Sequence, residues 1–488
     1  MMSIRNFTII VFSLLLISAT AFVLRSTIPA EHAPNIIIIN FDDLGYGDFE
    51  PYGMLDVPTP NINRLAREGL RLTNFNTVQA VCTTSRAALL TGCYPNRLGL
   101  HGALPPWSKI ALNPQEETIA SLLKPKGYQT AILGKWHLGS QPAYYPASYG
   151  FDSYFGIPYS NDMWPVHFDG TPITDPANSR GKYPPLPLIE GDRQVDIIRT
   201  LEDQAQLTTS LTERAVSFIS QHKKKPFFLY IAHPMPHVPL AASGKFRGKS
   251  EAGLLGDVLM ELDWSVGEVM RALDKQKLSS RTLLIVTSDN GPWLVYGNHA
   301  GSSGGFKEGK QTSWEGGTRV PCLIRWPGKV AAGGISAQLL TNMDILPTLV
   351  ELAGAAQPKK KIDGLSFANL LLGKTSQGPR KVFYYYYDQN NLRAVRQGNW
   401  KLVLPHTSNS VAQGTPGKDG FPGKNARVEV SQSLYNLTLD PGEQFNVHEL
   451  YPDMVLRLLE LAEEARADLG DDLTGRTGKN VRSAAVVD

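Results

Sequence analysis

Cysteine is almost missing from this chain. Cys82, Cys93 and Cys322 are the only three in 488 residues, too few for a disulfide scaffold. An odd count in an exported chain permits at most one internal bridge and leaves at least one thiol unpaired. Excess charge is missing too: 48 basic against 45 acidic residues leave +3, without long runs. That balance excludes the electrostatic footprint of a nucleic-acid binder and a polybasic membrane patch. No solenoid repeat is present, and Ser160 has no base beside it in the sequence, which disfavours a serine-hydrolase triad. What remains is 42% hydrophobic and 19% charged residues, a globular mixture, neither disordered, collagenous nor polytopic. The length allows two to three domains of roughly 100–200 residues each and a substantial core, so a small binding module is excluded.

Export is read from the first residues. Arg5 precedes an apolar stretch over 7–17, followed by Ser18, Ala19, Thr20 and Ala21. This order of basic, apolar and small residues predicts a signal peptide over 1–21, cleaved near Ala21. The alternative is an uncleaved anchor, because Phe22, Val23 and Leu24 extend the run towards the roughly 20 residues that span a bilayer. Polar Ser18 and Thr20 interrupt it. Either way the body is exported, to a periplasm, the extracellular space or a lysosome.

Residues 35–41 form a short apolar run rich in β-branched side chains, as in a strand buried on both faces of a parallel sheet. It ends in Asp42 and Asp43 and a Gly-rich turn. Residues 61–70 read as a helix, with Asn61 as a cap and Gly69 near its end. Apolar runs recur at 226–232 and 282–287, separated by helical patterns at 201–221 and 254–273. Strands alternating with helices predict an α/β fold with a large, mostly parallel sheet flanked by helices. The character changes near residue 375. Runs at 381–387, 391–397, 400–404 and 433–437 read as short antiparallel strands. A helix after Pro452 follows, with Met454, Leu456, Leu459 and Leu461 as its apolar stripe. We therefore expect domains at 34–375 and 376–488, the second a smaller antiparallel sheet with a packed helix. Glycine at every third position over 414–423 gives too few triplets for collagen and reads as a flexible loop.

In open α/β sheets ligands gather at the carboxyl ends of strands. Two such ends carry matching polar pairs, Asp42–Asp43 and Asp289–Asn290. Three carboxylates and an amide oxygen suit a hard cation such as calcium or magnesium, although either pair alone could be turn or cap residues. Cys82 precedes Arg86 and a helix-like run, so its thiol is expected to have a depressed pKa, although an inert buried cysteine fits the spacing as well. A phosphatase loop is excluded, because the sixth residue after Cys82 is Ala88 and Arg86 comes too early. Lys135 and His137 stand two apart, on one side if extended. His233 and His237 follow the run at 226–232, and Lys310 precedes a Gly-rich stretch. Lysine and histidine together can bind an oxyanion and protonate a leaving group. His101, His167 and His299 read as ordinary solvated or core residues.

This set resembles the sulfatase family, the formylglycine-dependent sulfatases of the alkaline-phosphatase-like superfamily. The resemblance rests on 34–53, 59–61, 82–92, 134–139, 233–239, 288–290, 310–319 and 434–446, above all on the signature from Cys82 to Gly92. It implies that a maturation enzyme oxidises Cys82 to formylglycine (3-oxoalanine), whose hydrate attacks the sulfur of a sulfate ester. It implies calcium held by Asp42, Asp43, Asp289 and Asn290, with the modified Cys82 counted beside them and sulfate oxygens completing the shell. Arg86 and Lys135 would hold the formylglycine, His137 would help deprotonate it, and His237 and Lys310 would bind sulfate, with His237 as proton donor to the leaving oxygen. Ser160 matches a position that touches substrate in some members. One departure stands out: the family normally has Pro or Ala two residues after the cysteine, and here that residue is Thr84.

The expected activity is therefore hydrolysis of a sulfated carbohydrate or an aryl sulfate. The competing functions are a phosphodiesterase or phosphonate ester hydrolase on the same scaffold, and a non-catalytic binder of sulfated glycans in which Thr84 has blocked maturation. Specificity is expected from loops near 100–110, 140–200 and 405–430. Tyr144, Tyr145, Tyr149, Trp164 and Tyr384 to Tyr387 could stack on sugars, but aromatic residues of this kind more often pack in cores or rims. No nucleic acid and no extended membrane span are expected.

Overall fold

The computed structural model describes residues 33–175 and 177–487, so the signal-peptide stretch lies outside the described residues. Among those described, no helix is long and apolar enough to cross a membrane.

The strand Asn35–Phe41 is buried along its whole length. Its alternate side chains feed two cores: Ile36 and Ile38 join Ala87, Leu90 and Leu349 on one face, while Ile37, Ile39 and Phe41 join Leu211, Leu262 and Val266 on the other. A strand with two apolar faces must read as a continuous apolar run, which is why alternation is missing from the sequence. It lies centrally in an eleven-stranded sheet. Phe227–Ala232 and Thr282–Ser288 pair with it on either side, both parallel. Gln129–Gly134 extends the parallel set beyond Phe227–Ala232, and Arg319–Arg325 turns antiparallel against Thr282–Ser288.

Helices Leu201–Gln221 and Gly253–Lys275 cover the second face. The first begins with a capping box between Thr200 and Asp203, which satisfies otherwise orphaned amides. The helix expected at 61–70 runs Pro60–Glu68. Its N-cap is Thr59 rather than Asn61, because Pro60 takes the first helical position and Asn61 instead donates to Asp263 at 2.7 Å.

The smaller sheet orders Val382–Tyr386, Leu392–Gln397, Trp400–Val403 and Ser433–Asn436, all antiparallel. Helix Pro452–Leu469 packs on it through Val455, Leu458, Leu461, Ala462, Ala465 and Leu469. The expected stripe was rotated: Leu461 belongs to it, but Leu456 is 62% exposed. Met454 and Leu459 of the expected stripe pack partly buried against the same cluster, and small Ala462 and Ala465 complete the buried face where apolar size alone pointed to Leu456. Residues 414–423 are not a free loop. They form the tip of the hairpin His406–Thr415 and Lys424–Val430, and the amides of Gly417 and Gly423 both donate to the Val295 carbonyl, at 3.0 and 2.8 Å. Glycine is needed there for close backbone approach: a Cβ on Gly417 would fall 2.2 Å from the Phe421 carbonyl oxygen. All three cysteines are free and buried.

Candidate active site

The site grows from strand register. Phe41 pairs with Ser288, so the residues that follow, Asp42 and Asp289, emerge side by side at the carboxyl edge of the sheet. The turn is tied across both strands. The Asp289 amide donates to the Phe41 carbonyl at 3.0 Å, the Asp43 amide to Asp289 Oδ1 at 3.2 Å, and Asn290 Nδ2 to Asp43 Oδ1 at 2.7 Å. Asp43 takes a left-handed φ of 63° to turn inward. Asp42 Oδ1, Asp43 Oδ2 and Asn290 Oδ1 are buried with no hydrogen-bond partner. Buried oxygens without donors are costly, and three converging from neighbouring strand ends fit a hard cation. Asp42, Asp43 and His237 also lie close enough to share one ion.

Cations surround these carboxylates. Lys135 follows the strand Gln129–Gly134; its Nζ bonds Asp42 Oδ2 and donates to Ser160 Oγ at 2.9 Å. Lys310 Nζ donates to Asp43 Oδ1 at 2.6 Å. His237 Nε2 stands 3.5 Å from Asp43 Oδ2, with Nδ1 bonded to the Val238 carbonyl at 2.6 Å. The segment from Lys135 to His137 is not extended, since His137 has a φ of 59°. Its Nε2 bonds the Leu104 carbonyl at 3.0 Å. His233 stands apart from this group, with Nε2 against Ser265 Oγ at 3.1 Å.

Cys82 opens helix Cys82–Thr91, which is buried throughout. Arg86, one turn on, donates through Nε to Asp289 Oδ2 at 2.9 Å and through Nη1 to the Lys135 carbonyl at 2.9 Å. This overturns the expected depressed thiol pKa. Burial pushes the Cys82 thiol up, Lys135 and Lys310 only partly oppose it, and Asp42 and Asp289 add to the rise. Arg86 does not serve the thiol because it is committed to carboxylates. Asp42, though burial opposes its charge, is held far below the usual carboxylate range by Lys135 and Arg86. Its neighbour Asp289 is pushed up to about 7 by burial and by the charge of Asp42. Burial lowers the proton affinity of both His137 and His237. The result is a water-poor pocket of fixed charges, able to stabilise an anion without reorganising.

With this geometry in place, comparison with known proteins is decisive. The sulfatase family model matches residues 34–355, and arylsulfatase A of Bos taurus is 38% identical over 459 residues, covering 90% of this chain and 88% of that protein. The chain belongs to the sulfatase family. It is a sulfuric ester hydrolase, and its substrate is a sulfated one. N-acetylgalactosamine-6-sulfatase of Mus musculus is 35% identical, over 94% of this sulfatase and 90% of that protein. A structure solved for the metabolism of multiple glycosaminoglycans by Bacteroides thetaiotaomicron superposes with a TM-score of 0.75 at 32% identity, covering 89% of this sulfatase and 99% of that chain. A second family model, for the C-terminal region of aryl-sulfatase, matches 378–486.

Sequence reasoning missed several groups that shape the pocket of this sulfatase. Trp293 packs its ring 5.4 Å from His237 and lies under the Lys310 ammonium at 4.6 Å. Its signal was its place, three residues beyond Asn290. Asp162 is half-buried, and the charge of His237 is the chief influence opposing desolvation and keeping its carboxyl low. Most of the aromatic candidates are core: Tyr145, Tyr149, Trp164, Tyr385 and Tyr386 are all buried.

Proposed function

We propose that this sulfatase hydrolyses sulfate esters of an acidic glycan of the glycosaminoglycan type, through a formylglycine made from Cys82 and with calcium held by Asp42, Asp43, Asp289 and Asn290. The observation that carries the reading is the trio of orphaned oxygens, Asp42 Oδ1, Asp43 Oδ2 and Asn290 Oδ1, beside two buried ammonium groups. An all-oxygen set of this kind suits calcium. When bound, the ion would supply positive charge against the sulfate oxygens.

The residues of the chain have distinct tasks in this reading. Lys135 and Lys310 neutralise sulfate oxygens, and Ser160, already an acceptor from Lys135, lines the same side. Arg86 anchors Asp289 and the Lys135 backbone, so both keep their positions as charge moves. His137 takes the proton from the nucleophilic hydroxyl. His237, fixed through Nδ1, presents Nε2 to the leaving oxygen. Burial disfavours its charged form, and the negative sulfate restores the proton it then delivers. The glycan class follows the relatives named for N-acetylgalactosamine 6-sulfate. We assign this catalytic machinery to residues 34–375 and a supporting role to 376–488.

Cys82 is 2% exposed and Thr84 is fully buried, its hydroxyl bonded to the Val81 carbonyl at 3.1 Å. Oxidation of Cys82 must therefore precede folding, on the extended chain. The test is mass spectrometry of the peptide carrying Cys82 from protein made in an exporting host, with turnover of an aryl sulfate and of a chondroitin 6-sulfate disaccharide. An aldehyde or its hydrate with turnover is expected. An intact thiol with no turnover would sink the reading and leave a sulfated-glycan binder.

A further inference from the structure

We infer that Trp107, stacked on Tyr183, is a platform for a pyranose ring of the substrate beside its sulfated position. The inference takes its ligand class from the proposed function and its location from the loop that carries Trp107. In that loop the Leu104 peptide touches the site twice: its amide donates to Thr83 Oγ1 at 3.2 Å, and its carbonyl meets His137 Nε2 at 3.0 Å. Thr83 follows Cys82 directly. Trp107 lies three residues beyond Leu104, and three residues reach at most about 10 Å. Trp107 therefore lies within about 10 Å of Leu104, the residue whose peptide meets Thr83 and His137.

The loop is built to hold the ring still. Pro105 and Pro106 precede Trp107 and fix two φ angles. The Ser108 amide closes the turn on the Pro105 carbonyl at 2.9 Å, and Ser140 Oγ pins the Pro106 carbonyl at 2.7 Å. Tyr183 backs the indole with ring centroids 5.0 Å apart and planes at 23°. It is itself seated against the cluster around Trp164 and Ile157. Its segment is tied to the site, since Arg180 Nη2 donates to the Asp162 carbonyl at 2.7 Å and neighbouring Asn161 donates to the His237 carbonyl at 3.2 Å. Yet Trp107 remains 53% exposed. Isolated exposed apolar residues are ordinary. A tryptophan held on a double-proline turn, with one face backed by Tyr183 and half its surface exposed, on a loop whose Leu104 touches the site, is prepared for a flat partner with an apolar face. The C–H face of a sugar ring is such a partner, and prior ordering reduces the entropy lost on binding.

The test measures binding and turnover of a chondroitin 6-sulfate disaccharide by the purified full chain, comparing Trp107→Ala and Trp107→Phe. Trp107→Ala is expected to weaken disaccharide binding about fivefold to tenfold, the size of one aromatic stack, with the loss in KM rather than kcat. Trp107→Phe is expected to restore most of it. Inorganic sulfate, which has no ring, should bind both variants as it binds the wild type. Equal disaccharide affinity in Trp107→Ala and wild type would overturn the inference. So would a parallel loss for inorganic sulfate, which would mean the loop only braces His137. Turnover of an aryl sulfate by the wild type tests the proposed function separately, and calorimetric binding can be read even if Cys82 is an unmodified thiol.

Discussion

Lys401 is the strongest place to test how the smaller sheet supports the catalytic pocket. It comes from the strand Trp400–Val403 and is fully buried. Its Nζ contacts Glu443 Oε1 at 2.7 Å and Glu315 Oε1 at 3.3 Å, donates to the Ser313 carbonyl at 2.8 Å and sits 3.9 Å over the Tyr385 ring. Ser313 and Glu315 belong to the stretch that carries Lys310, so this ammonium joins that stretch to the sheet. Burial alone would raise both carboxyls. Lys401, Arg396 and Arg319 hold Glu315 down at about 2, whereas Glu443, with Lys401 as its main cation and Glu315 beside it, is raised. Lys401→Met removes the shared cation but keeps most of the volume. Breaking a buried pair costs about 3–5 kcal/mol because a charge is left without a partner. With an unfolding entropy on the order of 1 kcal/mol/K for a chain of this size, Tm falls by about 3–5 °C. Without its cation Glu443 holds a proton in the fold to higher pH than in the unfolded chain, so stability falls as pH rises through that range. The deficit should be larger at pH 8 than at pH 5, as about fits a carboxyl shifted upward. Adding Glu443→Gln should recover more than about half of the loss, read as a double-mutant cycle by denaturant unfolding. A loss below about 1 kcal/mol, or no rescue by Glu443→Gln, would refute the account.

Three further outcomes follow from other parts of the molecule. Metal analysis should find about one calcium per chain, and Asp43→Ala should abolish it and lower Tm; zinc in its place would favour phosphodiester chemistry. Burial lowers His406 to about 4 from an ordinary value near 6.5, so between these pH values the unfolded chain binds more protons and stability drops on acidification. The drop is up to about 3 kcal/mol, and His406→Asn should flatten that part of a stability–pH profile. Gly297 has a φ of 58°, and a Cβ there would meet the Gly417 carbonyl oxygen at 2.0 Å. Gly297→Ala should therefore cost about 1–3 kcal/mol and open the hairpin tip at 414–423 to proteolysis, while an unchanged digestion pattern would mean the tip is not held there.

Much of the fold is legible in the sequence where one local rule acts alone. The helix Leu201–Gln221 is readable from its apolar period, and the strand Asn35–Phe41 because its central isoleucines, Ile36 to Ile39, face apolar cores on both sides and so read as a continuous apolar run. The helix after Pro452 is readable as a helix, but its buried face is not. Alanines at 462 and 465 carry no strong apolar signal, and only the sheet beneath them decides which side is covered. The hairpin tip misleads for a similar reason: glycines that look like flexibility serve close contact with the Val295 carbonyl, which is distant in sequence.

The candidate site divides in the same way. Its chemical inventory, Asp42, Asp43, Cys82, Arg86, Lys135, His137, His237, Asp289, Asn290 and Lys310, is a property of the sequence, because a family signature fixes residue types in order. Strand pairing, which sets Phe41 against Ser288, decides that the two acidic pairs meet. Burial decides that the Cys82 thiol is raised rather than lowered, since desolvation depends on everything packed around it. Trp107 beside Tyr183, and Lys401 between Glu315 and Glu443, are contacts between segments far apart in the chain. No local pattern encodes them, and only the tertiary structure could bring them together.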